Sequence, residues 1–476
     1  MRQTDKPQTE AGADQRRPRY HFTPPSGWMN DPVGLFFSEG LYHLYYQHNP
    51  YAPEWGAMHW GHAVSRDLLH WQHLPIALAP SEPYDSWEAG GCFSGSTVLH
   101  GGLVYAFYTG VCGRDGQAYQ TQCLAVSRDG GTTFEKHPAN PLIQPPPGVD
   151  PAQFRDPKVW RQGDAWYMLL GARRAGRGEL LLYRSADLLA WELVGPLALP
   201  DDDFGNMLEC PDCFTLDGKD VLMFSPMGSE SHKVVYLTGR LDCQKPAFEA
   251  GHVGETDWGF DYYATHSLKD GQGRRLVFAW ANAWTWMPWW NNWGPAESWC
   301  GALAMPRQAS LLPDGRLAFA PLEELARLRG PRQCFPIERL ALGERRELSG
   351  VDGLCCELLL ELDLARTTAQ SLLLRLRSGQ GCETLLRCNL AGHQLTFDRT
   401  RADAYGKGVR SCPLRAEGET LRLRVFIDCS SIEVFTDGDT AVMSGNVYAP
   451  EQACHIYLEA EQGEVVFAGV TGWDIK

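Results

Sequence analysis

The sequence predicts an all-β chain in two parts, a five-bladed β-propeller followed by a C-terminal antiparallel β-sandwich. Three observations carry that prediction. One kind of apolar strand recurs five times, a polar cluster precedes every copy, and beyond about residue 330 the repeat gives way to alternating strands of another texture.

The recurring segments begin near Tyr42 (Tyr-His-Leu-Tyr-Tyr), Val104, Trp166, Val221 and Leu276, at intervals of roughly 62, 62, 55 and 55 residues. They read as the inner strands of successive blades. The clusters before them are Asn30-Asp31-Pro32, Ser94-Gly95-Ser96, Arg155-Asp156-Pro157, Glu209-Cys210-Pro211 and Phe260-Asp261-Tyr262-Tyr263. Equivalent positions of successive blades converge on a central channel, so Asp31, Asp156 and Glu209 should share one small space.

A second, outer element repeats in the same phase. Ser65-Arg66-Asp67-Leu68-Leu69-His70-Trp71 returns as Ser127 to Phe134 and again as Ser185 to Trp191. A Ser/Asp turn leading into an aromatic strand predicts a hairpin at the outer side of each sheet.

The expected boundaries are a polar extension over 1–19, a catalytic propeller over 20–330, and a linker with sandwich over 331–476. Pro331-Arg332-Gln333-Cys334-Phe335-Pro336 reads as the crossing segment. Strands are then expected at Cys356 to Leu364, Ser371 to Leu376, Thr384 to Leu390, Leu421 to Ile427, Ser431 to Phe435 and His455 to Leu458. Their alternation and a turn such as Asp437-Gly438 fit a sandwich.

Composition narrows the function. Forty-three basic against 58 acidic residues give a net charge of −15, which argues against nucleic acid or anionic membrane as partner. No apolar run reaches membrane-spanning length, and no h-region follows Arg16-Arg17. Fifteen cysteines without framework spacing suggest free thiols and a cytoplasmic location. Cys210-Pro211-Asp212-Cys213 has redox or zinc spacing, but no second ligand pair completes it, so neither metal nor cofactor is expected.

Three carboxylates in one channel suit glycoside hydrolysis. Retention of configuration needs a nucleophile that stays ionised and an acid that holds a proton near neutral pH. Glu209, between Leu208 and Cys210-Pro211, has the more apolar neighbours and the longer reach, which suits the acid. Asp31, beside Asn30 and near Trp28, suits the nucleophile.

At these residues the chain resembles glycoside hydrolase family 32, the invertases, fructanases and sucrose-6-phosphate hydrolases. His21 to Gly34, with Trp28-Met29-Asn30-Asp31-Pro32, is similar to that family's sucrose box. Arg155-Asp156-Pro157 and Glu209-Cys210-Pro211 resemble its other two signatures in the same order, and Phe426 to Phe435 extends the likeness into the sandwich. His59 to Ser65 and Pro75 to Pro80 look most like bacterial intracellular sucrose hydrolases. Val33 and Cys213 depart from the family pattern.

The resemblance implies a retaining β-fructofuranosidase acting on sucrose or sucrose-6-phosphate. Asp31 would be the nucleophile, Glu209 the acid/base, and Asp156 a fixed anion that orients fructosyl hydroxyls. Trp28, Asn30, Gln47, Trp55, Phe93, Ser94, Arg155, Tyr263 and Trp280 would contact substrate. The expected partner is a small sugar, and a homo-oligomer is compatible with the sequence. The alternatives are a fructan hydrolase or fructosyltransferase, or a non-catalytic sugar-binding propeller. Seven tryptophans between Trp280 and Trp299 (Trp284, Trp286, Trp289, Trp290 and Trp293 among them) read as a loop that either plugs a blade junction or rims the pocket.

Overall fold

The computed structural model describes residues 16–86, 88, 90–200, 203–282, 298–416 and 418–476. Five antiparallel sheets come first. Blade I is built from Gly27–Ser38, Leu41–Asn49, His59–Ser65 and Gln72–Leu78, and blade II from Gly91–His100, Leu103–Arg114, Gln117–Ser127 and Glu135–Lys136. Blade III comprises Val149–Gln162, Ala165–Arg174, Arg177–Ser185 and Glu192–Pro196. Blade IV comprises Met207–Leu216, Lys219–Met227, Val235–Asp242 and Ala247–Glu255. Tyr263–Lys269, Arg275–Trp280, Arg307–Leu311 and Leu317–Pro321 make blade V. The short strand Trp299–Cys300 joins the ring by pairing in parallel with Gly27 and Trp28 of blade I.

One expectation is corrected. The five recurring apolar segments are the second strands of the blades, not the inner ones. The first strand of each sheet, which carries the polar cluster, packs against its counterparts around the channel. The recurring segments are the most apolar because a second strand is covered on both faces by neighbouring blades. Between blades I and II these faces bury Phe36, Tyr45, Trp60 and Tyr108. Between III and IV they bury Leu169, Leu182, Leu222 and Phe224. Each such side chain contributes roughly 1.5–3 kcal/mol on leaving water.

The Ser/Asp turns stand where expected, between the third and fourth strands of blades I to III. Ser65 Oγ accepts from Leu68 N–H at 2.9 Å, and Asp67 Oδ1 from His70 N–H at 2.9 Å. Ser185 and Asp187 repeat the pattern on Leu188 and Ala190.

After the propeller, seven strands form one sheet and six another. All six strands expected there are present, and their inward faces bury Leu358, Leu360, Leu372, Leu374, Leu421, Leu423 and Val425. Val465–Asp474, which pairs with Cys356–Asp363 at the centre of the larger sheet, went unread in the sequence.

Where the two parts meet, the structure buries a charged network. His21 Nδ1 lies 2.8 Å from Asp428 Oδ2, and its Nε2 lies 3.0 Å from Glu433 Oε1. Arg307 donates to Glu433 Oε2 and to Asp257 Oδ2, both at 2.9 Å. Burial opposes charge on His21, but its hydrogen bonds to Asp428 and Glu433 raise it to about 9. Burial likewise opposes ionisation of Glu433, yet His21 and Arg307 hold it down to about 2. Residues 1–15 of the expected extension lie outside the described residues. Arg17 stacks over Trp299 at 4.6 Å, and Arg19 N–H donates to Asp428 at 2.8 Å.

Candidate active site

Every first strand breaks register at the same height. In blade I the break falls between Met29 and Pro32, in blade II between Phe93 and Gly95, and in blade IV between Glu209 and Asp212. In blade V it falls between Tyr263 and His266, and in blade III opposite Leu169 and Gly171, skipping Asp156 and Pro157. A β-bulge puts two successive side chains toward one side, where a regular strand would alternate them. Asp156, Cys210 and Ala264 occupy equivalent bulge positions with φ of 65°, 48° and 55°. Non-glycine residues held in the left-handed region carry a backbone cost that gathers at functional sites.

The bulges create two rings of side chains. Asn30, Phe93, Arg155, Glu209 and Tyr263 form the first. Asp31, Ser94, Asp156, Cys210 and Ala264, one residue further along each strand, form the second. All but Ala264 line a cavity of about 360 Å³, within the range typical of small-molecule sites. Gln47 and Trp55 also line it. Gln47 is anchored by donating to the Cys92 carbonyl at 3.1 Å, and Trp55 meets Phe93 edge to face at 6.0 Å.

Trp28 and Trp280 are not in the lining. Both are fully buried behind it, 5.9 Å apart and tilted edge to face. Trp28 acts through a neighbour, its Nε1 donating to Asn30 Oδ1 at 2.8 Å. The two indoles pack in one buried cluster with Cys210, Tyr262 and Tyr263. Trp284, Trp286, Trp289, Trp290 and Trp293 lie outside the described residues.

Each carboxylate is held by name. Asp31 accepts from Ser94 Oγ at 2.6 Å on one oxygen and from Asn30 Nδ2 at 2.9 Å on the other. Burial pushes Asp31 up and Glu209 adds to it, while the Ser94 and Asn30 donors pull it down; the balance is about 6. Asp156 Oδ2 accepts from Cys210 N–H at 2.9 Å, and Asp156 N–H donates to Thr109 Oγ1 at 3.0 Å. Burial lifts Asp156 to about 7, helped by Glu209 and Asp31 and opposed by Arg155. Asp156 lies in the cavity as expected from the sequence, beside Arg155 and within the same carboxylate cluster. Three crowded carboxylates cannot all ionise freely, and burial with like charge favours the protonated form of this one.

Glu209 was expected among apolar neighbours, and the structure corrects this. Arg155 donates to its Oε1 from Nη2 at 2.8 Å and from Nε at 3.1 Å, and Tyr263 OH donates to Oε2 at 2.7 Å. The apolar residues beside it in the chain point away, because the bulge turns only Glu209 and Cys210 to the pocket. Gly171, paired with Arg155, makes this approach feasible. A Cβ there would stand 2.1 Å from the Leu208 carbonyl of the next blade.

Cys210 is one of the pocket residues that sequence reasoning does not reach, with Gln120, Gln153 and Met227. Its thiol lies 3.6 Å from Asp31 Oδ2 and 3.7 Å from Asp156 Oδ2. Burial raises it far above an ordinary thiol, so it stays protonated as a weak donor to those carboxylates. Superposing the three tripeptides would have placed it, since Cys210 stands where Asp31 and Asp156 stand. Cys213 instead packs between blades III and IV with Leu222 and Phe224, so the two thiols serve no common site. Val33, two residues past Asp31, packs with Tyr45 and Trp60. Two residues past Asp156 and Cys210, a second buried layer follows, with Lys158 Nζ 2.7 Å from Asp212 Oδ1.

This arrangement can deliver an ionised carboxylate and a second, hydrogen-bonded carboxyl to one sugar from two different blades. Comparison with known proteins agrees with that geometry. The pattern described as the glycosyl hydrolases family 32 N-terminal domain matches residues 21–321, and the family's C-terminal pattern matches 324–474. A sucrose-6-phosphate hydrolase of Escherichia coli is 36% identical over 473 residues, covering 96% of this chain and 94% of its own. The solved sucrose-6-phosphate hydrolase of Lactobacillus gasseri aligns with a TM-score of 0.85 at 26% identity, over 98% of this chain and 94% of that one. A variant of a Bombyx mori β-fructofuranosidase, solved with sucrose, aligns with a TM-score of 0.79 at 31% identity, over 97% and 94%.

Proposed function

The chain belongs to glycoside hydrolase family 32, and on that premise we propose that it hydrolyses sucrose or sucrose-6-phosphate at the fructosyl carbon with retention of configuration. The observation that supports this most is the pair Asp31 and Glu209. They come from blades I and IV, line one cavity, and are each oriented by dedicated donors.

In the first displacement an Asp31 oxygen attacks the anomeric carbon. The glycosidic bond breaks, and its electron pair leaves on an oxygen that takes a proton from Glu209. Glu209 then removes a proton from water, which attacks the same carbon and releases Asp31. Ionised above about 6, Asp31 is ready for attack at neutral pH. Asp156, Arg155 and Asn30 face the space where fructosyl hydroxyls would lie, and Trp55 with Phe93 offers an apolar wall. A sugar-binding propeller without chemistry would have no use for two carboxylates held so differently.

Among the described residues no helix is long and apolar enough to cross a membrane. The free, mostly buried cysteines favour a reducing compartment, and we place the protein in the cytoplasm. The proposed division falls near residue 330, with the sandwich serving as structural support. Release of glucose and fructose from sucrose, lost in Asp31→Asn and in Glu209→Gln variants that keep their fold, tests the reading. Full activity in either variant would refute it.

A further inference from the structure

The two substrates named above differ by a phosphate dianion, and the pocket treats charge in a way that separates them. Building on the hydrolase reading, we propose that the protein is selective for the neutral disaccharide and discriminates against its 6-phosphate.

Among the described residues, the charged side chains lining the cavity are three carboxylates, Asp31, Asp156 and Glu209, and one cation, Arg155. Phosphate recognition calls for a guanidinium or ammonium with donors to spare. Arg155 has none. Its Nε and one Nη2 donor meet Glu209, and Met227 Sδ lies 3.5 Å from Nη2. Its Nη1 donors meet Gln153 Oε1 at 2.9 Å and Gln120 Oε1 at 3.4 Å. All five N–H groups thus have a protein acceptor, and the side chain is buried. A phosphate could take Arg155 only by displacing one of these acceptors, and a two-pronged grip through Nε and Nη2 would displace Glu209 and dismantle the acid/base.

Three further cations of blade III are paired, Lys158 with Asp212, Arg173 with Asp150 and Arg174 with Glu179. The remaining lining from blades II and III is neutral, with Val111, Ala118 and Ala152 beside Trp55 and Phe93.

A dianion would also act on the nucleophile. Asp31 and Asp156 are already pushed upward by burial and by their carboxylate neighbours. Two more negative charges would favour their protonated forms further and remove the ionised Asp31 that attack requires.

The test is kcat/KM on sucrose and on sucrose-6-phosphate, measured side by side at pH 7 in low salt and in high salt, and again near pH 5.5. We expect sucrose to be favoured by at least about 10-fold in low salt. The ratio should shrink as salt screens the repulsion and as the phosphate, with a second pKa of about 6, becomes a monoanion. Ala118→Lys should move the ratio toward the phosphorylated sugar. Equal efficiencies, or a preference for sucrose-6-phosphate, would overturn the selectivity. A sucrose preference unmoved by salt, pH and Ala118→Lys would overturn its electrostatic origin. Hydrolysis of neither sugar would refute the hydrolase reading itself.

Discussion

In the pocket, Asp31, Asp156 and Glu209 share a single guanidinium, whereas at the junction of propeller and sandwich Asp257, Asp428 and Glu433 meet His21, Arg307 and Lys233. Both groups are buried, and both draw residues from distant parts of the chain. In the pocket, burial and like charge raise Asp31 to about 6 and Asp156 to about 7. At the junction, paired cations lower Asp428 and take Glu433 down to about 2. The difference is charge balance. A buried anion matched by cations and donors holds the fold together, while one short of cations is unstable and therefore chemically useful.

The comparison breaks first on activity. Asp31→Asn and Glu209→Gln should each lower kcat by at least about 100-fold, as loss of a positioned nucleophile or proton donor does. Stability should move the other way for Asp31. Its folded pKa lies above the unfolded value, so the folded state binds the proton more tightly, and ionisation above about pH 6 costs stability. Asp31→Asn, and likewise Asp156→Asn, should therefore melt at or above the wild-type temperature at pH 7. A lower Tm for both would show that these carboxylates support the fold.

At the junction the signs reverse. Removing one partner of a buried pair costs about 3–5 kcal/mol, so Arg307→Met or Glu433→Ala should lower Tm by several degrees. A denaturant titration with wild-type stability would contradict the structural role. His21 adds a pH signature. Its folded pKa of about 9 exceeds the unfolded 6.5, so its stabilisation is complete below pH 6.5 and fades as pH rises through 9. Thermal melts over that range should show the decline in the wild type and flatten in His21→Gln. Glu433, depressed to about 2, contributes above pH 4.5 and loses its contribution only as pH falls toward 2.

Smaller effects sharpen the contrast. Ser94→Ala deletes a donor to Asp31, so the acid limb of kcat/KM, expected near pH 6 in the wild type, should shift upward. An unmoved limb would mean that another group sets it. Asp187→Ala, in an exposed turn of blade III, should cost about 1 kcal/mol through its lost backbone acceptors. It should leave kcat unchanged.

Much of this was legible before the fold was known, because a propeller repeats its chemistry at a period the eye can follow. Asn30-Asp31, Arg155-Asp156 and Glu209-Cys210 announce one site by recurring in phase. What escaped depends on pairing register and on distance in space. A bulge is invisible until the neighbouring strand is placed, so nothing in the sequence alone turns Cys210 toward Asp31 and Asp156. Trp28 and Trp280 carry no mark that distinguishes lining a pocket from backing it. His21 lies about 400 residues from Asp428 and Glu433, too far for any local pattern to join them. The apolar neighbours of Glu209 misled for the same reason, since the guanidinium that meets it comes from the preceding blade.

The claim that Asp31 is a nucleophile, not a bystander, is tested most directly by the anomer first released. Two displacements at one carbon give net retention, so NMR of the earliest product from sucrose should show β-fructofuranose before mutarotation. First appearance of the α-anomer would mean that water attacks directly, and would contradict the role assigned to Asp31.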